Sequence, residues 1–325
     1  MKTAYWIGCL LILSLVSCKK ENRWVNEKPE STVELKFTDI SKDFFNTQIS
    51  IQEIRAKYPF FFDNRPDEIW EKQRKDSLET AVYDSVNKVF GNGEYKSELE
   101  KMFSYFKKYY PEIKLPEVYT YASGLQNIYE DAILYGKDEA MLFIALDGFM
   151  GSDNYWYKSE NVYPYMAERM NPQNLTPAVV HAIGEQVTPF NPRQQAFIDL
   201  MIDEGKMLIL ADALIPETPD EFKIGYTKEQ LDWATANEEE IWNYFVEQNL
   251  IFSADRSNGE RFLKPAPYSK FGNEIETESP GRIGVWVGWQ ICRKYLDEHP
   301  KTGLKDFLSL ENQTIFKDSK YKPTK

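Results

Sequence analysis

One stretch of this chain, Ile7 to Val16, is predominantly apolar, and it is too short to span a bilayer. No later run reaches membrane-spanning length, so the rest must fold as a water-exposed body around its own core. The stretch follows Lys2 and ends in Leu15-Val16-Ser17, the charged, apolar, small-residue order of a secretory signal over residues 1–17. Of the three cysteines, Cys9 falls inside that signal, Cys18 directly follows it and Cys292 lies far downstream. With Cys18 modified, Cys292 has no partner for a disulfide, and a cysteine-based zinc site is excluded. Burial of apolar surface must therefore hold the fold. A hydrophobic fraction of 42% and an aromatic fraction of 15% supply enough of it for a body of about 300 residues.

The placement of Cys18 after Leu15-Val16-Ser17 resembles a bacterial lipoprotein signal, in which the chain is cut before the cysteine and that residue is acylated. Cys18 is thus the expected lipid attachment point, residues 18–31 a polar tether, and residues 32–325 a single domain. Lys19 stands where an inner-membrane retention signal usually carries Asp, so an outer-membrane lipoprotein facing the periplasm is the expected location. The net charge of −12 becomes −13 once the segment bearing Lys2 is removed, an acidic balance that argues against nucleic acid as a partner.

Periodicity predicts an α+β fold, mainly helical with a small sheet. Val33 to Ile40 alternates like a half-buried strand, and 43–58, 66–90 and 94–109 read as helices. Residues 118–122, 127–135 and 140–149 are rich in strand formers, and Met141 to Leu146 is apolar enough to be a central strand. Thr176-Pro177 and Asn191-Pro192 read as helix starts, for helices ending near Val187 and Leu214. Further helices are predicted over 227–251 and 282–298.

His181 and Glu185 are four residues apart on one helical face, the spacing at which two ligands can share a metal ion. Glu204 interrupts the apolar stripe of the next predicted helix, and a carboxylate in that position needs a specific partner. A helix, a turn and a glutamate 19 residues after the second position form the skeleton of a gluzincin-type metallopeptidase. The pattern departs from that skeleton twice. Ala182 stands where a general base would activate a zinc-bound water, and Glu185 stands where a second histidine would bind. Three readings follow: a buried hydrogen-bonded cluster joining two helices, a metal site of His181, Glu185 and Glu204 without hydrolysis, or a working hydrolase. No cofactor is expected; zinc is the ion those three residues could hold on the second and third readings.

Gly284 and Gly288 lie four apart on an otherwise bulky helix, which implies close approach of a neighbouring backbone. Trp286 and Trp289 on that helix, with Trp156 in an aromatic loop, are the candidates for lining a partner groove.

Several segments occur together and in order: the cysteine motif at Cys18, Ile144-Ala145-Leu146-Asp147-Gly148-Phe149, Met201-Ile202-Asp203-Glu204-Gly205-Lys206 and Leu214-Ile215-Pro216. They continue with Ile224-Gly225-Tyr226-Thr227, Ser279-Pro280-Gly281-Arg282-Ile283-Gly284 and Gly288-Trp289-Gln290-Ile291. In this combination the chain resembles the gliding motility-associated lipoprotein family GldB, which is similar in turn to zinc-peptidase-like domains with a degraded metal-binding helix. The resemblance implies a lipid-anchored envelope component needed for movement over surfaces and associated with type IX secretion. It implies partners among the envelope proteins of that machinery, and no catalytic residues.

Overall fold

The computed structural model describes residues 22–126, 128, 132–189, 191–193 and 195–323. The expected signal peptide and Cys18 lie outside the described residues. Strand β1 (Phe37–Asp39) leads directly into helix α1 (Ile40–Phe44), because Asp39 at its end accepts a hydrogen bond from the Lys42 N–H and caps the first turn. Helices α2 (Ile51–Lys57) and α3 (Asp67–Gln73) follow, then α4 (Ser77–Phe90) and α5 (Glu94–Tyr109). The single helix expected over 66–90 is two, since Asp76 accepts from the N–H groups of Leu78 and Glu79 and starts a new helix. The helix expected over 43–58 is likewise divided, with Ser50 and Glu53 forming a reciprocal cap at the start of α2.

The sheet comprises β1, β2 (Glu117–Tyr121), β3 (Ile133–Gly136) and β4 (Met141–Ala145), in the order β1-β2-β4-β3. β1, β2 and β4 run parallel, and β3 pairs antiparallel with β4. The apolar run from Met141 is central, as its composition predicted: it is flanked on both sides, with Leu142 and Ile144 fully buried on one face and Met141 and Phe143 partly buried on the other. Strand alternation sorts the side chains. Val118, Leu142 and Ile144 enter the main core, whereas Tyr119, Tyr121 and Ala145 pack against Ile40, Phe44, Ile51, Ile54 and Trp70 of α1–α3.

Two short helices, α6 (Tyr155–Ser159) and α7 (Pro164–Ala167), lead to α8 (Leu175–Val187) and α9 (Phe197–Leu214). The latter starts later than Asn191-Pro192 suggested; Asp199 accepts from the Ala196 N–H and closes the first turn there. Then come α10 (Asp220–Ile224), α11 (Lys228–Ala236), α12 (Glu238–Glu247) and α13 (Ser257–Phe262), followed by α14 (Ile283–Glu298), α15 (Leu304–Ser309) and α16 (Asn312–Ser319). A break at Asn237 divides the helix expected over 227–251. The centre of the body is the crossing of α9 and α14. Gly288 reaches so close to α9 that a Cβ there would lie 1.8 Å from the Met201 carbonyl oxygen. That is the close backbone approach implied by the Gly284/Gly288 spacing.

The first described residues of the expected tether, 22–27, are packed on the body, while Lys28, Glu30 and Ser31 are exposed. Asn22 donates to the carbonyls of Asp212 and Pro216, and Arg23 donates to those of Leu296, Pro300 and Thr302. Trp24 is 2% exposed and meets Tyr109 edge to face. Asn22 and Arg23 thus serve carbonyls in the last turns of α9 and α14 and in the loops that follow them.

Candidate functional site

A cavity of about 330 Å³ opens where α8 and α9 pass the end of the sheet, closed on its other side by α7, α10 and the start of α14. Its walls are largely apolar, with Ile133, Phe149, Met166, Met170, Met207 and Leu208 among them. Six ionisable side chains also line it: Lys223, which is committed to Asp212 and Asp220, and Arg169, His181, Glu185, Glu204 and Arg282, which bear on its chemistry.

The geometry follows from local structure. One helical turn of α8 separates His181 from Glu185, and their Nδ1 and Oε1 atoms stand 3.7 Å apart. Both are open to solvent, His181 at 45% and Glu185 at 63%. Enclosure by the cavity walls nonetheless pushes the His181 imidazole below its ordinary value of 6.5; Glu204 and Glu185 oppose the shift, and Arg282 and Arg169 reinforce it. Glu204 enters from α9. The partner required by its place in an apolar stripe is Arg282, whose Nη2 lies 3.8 Å from the carboxylate. Arg282 occupies a left-handed backbone conformation with φ of 60° just before α14 and donates to the Ile224 carbonyl at 2.7 Å.

Sequence reasoning placed His181, Glu185 and Glu204 together, and all three line this one cavity. Among the described residues, no three His, Cys, Asp or Glu side chains are grouped so as to hold a metal ion. Arg169 and Arg282 were missed. Arg282 sits inside a segment whose glycines drew attention, and Arg169 carries no local signal, because only the folded chain brings the two to one cavity.

The three tryptophans do not form a groove. Trp286 and Trp289 are 2% and 0% exposed, deep in the α14 interface. The Trp289 indole N–H donates to Asp212 at 3.0 Å, and the Arg293 guanidinium lies 3.7 Å above its ring. Trp156 is partly buried on α6 beside the exposed Tyr155, and it stacks edge to face with that ring. The α14 pair is internal because the helix is surrounded, so its apolar residues serve packing on all sides.

The family model for the gliding motility protein GldB matches residues 21–323, essentially the whole body described above. The chain belongs to the GldB family. Two cavity residues, Glu204 and Arg282, fall in segments on which the resemblance to GldB rests. GldB proteins are gliding motility lipoproteins, and among the described residues no helix is long and apolar enough to cross a membrane. No significant match was found among curated proteins or among solved structures.

Proposed function

We propose that this chain is a lipid-anchored, non-catalytic component of the gliding machinery, held at the outer membrane through Cys18 and acting by binding an envelope protein. Membership of the GldB family carries the reading. The cavity supports it. Ala182 occupies the position from which a general base would activate water, and the fixed positive charge of Arg282 faces Glu204 where a peptidase would bring a cation. His181, Glu185 and Glu204 therefore fit zinc poorly, since one of the two carboxylates is already engaged by a guanidinium. The peptidase-like order of α8 and α9 is, on this reading, an inherited scaffold.

The alternative is a metal-dependent hydrolase with an altered site, favoured by the convergence of those three residues on one cavity. Both readings meet one experiment on the purified full chain, supplied with zinc and a mixed fluorogenic peptide library. No turnover above the blank is expected. Turnover that vanishes in His181→Ala would establish the hydrolase instead. In the host, Cys18→Ser is expected to leave the membrane fraction and to abolish surface spreading. Retention of both membrane association and spreading would refute the anchored role.

A further inference from the structure

Arg169 poses a physical problem that the family assignment does not answer. Its Nε is buried with no hydrogen-bond partner, although a guanidinium is a strong, permanently charged donor. Its stem lies over Gly225, where an added Cβ would come within 2.8 Å of Nε, so a glycine at φ 74° leaves room for it. The like charge of Arg282, and then burial, push the Arg169 guanidinium down to about 9. Glu204 is the carboxylate whose charge favours the Arg169 cation, and that group is already shared with Arg282. Two guanidiniums thus line one cavity whose less exposed carboxylate, Glu204, serves both, Glu185 being 63% open to solvent.

A second orphan lies in the same cavity. Asn174 donates through Nδ2 to the Phe222 carbonyl at 3.2 Å, which fixes its amide orientation and leaves Oδ1 buried without a donor. The cavity therefore lacks an oxyanion at one point and an N–H at another. Its walls are methionine-rich and adaptable, and its volume falls at the small end of ligand sites.

We infer that this cavity receives the carboxyl-terminal end of a peptide, its carboxylate held by Arg169 and Arg282 and a backbone N–H donated to Asn174. A carboxylate accepts two parallel bonds from a guanidinium fork, and a terminal residue carries the apolar side chain that the methionines would cover. The inference rests on the binding reading proposed above and narrows what is bound to a free peptide terminus.

The test is calorimetric titration of the full chain in detergent with three probes: N-acetyl-alanyl-phenylalanine, the same dipeptide as its carboxamide, and inorganic phosphate. The free acid is expected to bind, and the carboxamide to bind about tenfold more weakly or worse, as loss of charge-assisted hydrogen bonds implies. Arg169→Gln should reduce acid binding to the level of the carboxamide at an unchanged melting temperature. If that variant does not fold, Arg169→Lys, which keeps charge and stem, should still bind the acid more weakly than the wild type. Equal binding of acid and carboxamide, no binding of the acid at millimolar concentration, or phosphate binding as well as the acid would each overturn the assignment. Mass spectrometry of the recovered probe separates the two proposals. A cleaved dipeptide would sink the non-catalytic reading while leaving the carboxylate site in place.

Discussion

Gly205 of α9 and Gly288 of α14 face each other across the helix crossing: a Cβ on Gly205 would lie 2.5 Å from both the carbonyl carbon and the oxygen of Gly288. The two backbones therefore touch without intervening side chains. Gly288→Ala gains about 1 kcal/mol of helix propensity but must displace Met201 backbone that α9 holds rigidly. A net loss of about 3 kcal/mol is expected, and urea denaturation of the variant beside the wild type measures it. An unchanged midpoint would mean that the helices can separate freely.

Asp212 anchors the other end of the same crossing. It is 3% exposed and accepts from Lys223, from Trp289 and twice from Arg293, which also bonds Asp220. Burial alone would raise its carboxyl, but Arg293 and Lys223 overcome that and hold it below the ordinary 3.8. Asp212→Ala leaves Lys223 and Arg293 with Asp220 as their remaining shared carboxylate and is expected to cost about 3 kcal/mol, read from urea denaturation.

The same pair sets a pH dependence. A carboxylate lowered in the folded state contributes stability that is fully present above its unfolded value and is lost as pH falls through the folded one. The wild type should therefore lose stability below about pH 4, where unfolded aspartates begin to protonate. Asp212→Asn should show a shallower acid slope in denaturation midpoints taken between pH 5 and pH 2.5. Identical slopes would remove Asp212 from the account.

His181 offers a direct electrostatic readout. Its ring is expected to titrate below 6.5 in NMR spectra, because enclosure disfavours the imidazolium. Glu204 favours the charged form, so Glu204→Gln should move the midpoint lower still. A midpoint at or above 6.5 would mean that the Glu204 and Glu185 carboxylates outweigh enclosure at His181.

At the amino-terminal end of the described residues, Trp24 is the buried side chain that holds its segment against the body. Trp24→Ala is expected to cost about 3 kcal/mol and to expose residues 22–27 to limited proteolysis. A protease-resistant variant would show that Asn22 and Arg23 suffice to hold the segment.

Local patterns account for much of this. The limits of α5 and α14 and the central β4 were legible, since each depends on periodicity and nearby stop signals. Breaks at Asp76 and Asn237 were missed, because the apolar stripe continues in phase across a capping residue and hides the interruption. At the site, His181 and Glu185 were legible because one helix fixes both, and Glu204 stood out as a charge in an apolar stripe. Arg169 was not, for its role exists only opposite Arg282 and Gly225.

Propensity, side-chain volume and desolvation act within one element, and they were enough to fix the α+β class, the close approach at Gly288 and the need of Glu204 for a partner. Tertiary structure decided which partners met. It gave Arg282 to Glu204, turned Trp286 and Trp289 inward with Trp289 on Asp212, folded residues 22–27 onto the body, and left Arg169 Nε and Asn174 Oδ1 unsatisfied in one cavity. Such pairings depend on packing between segments far apart in the chain, and no local pattern encodes them.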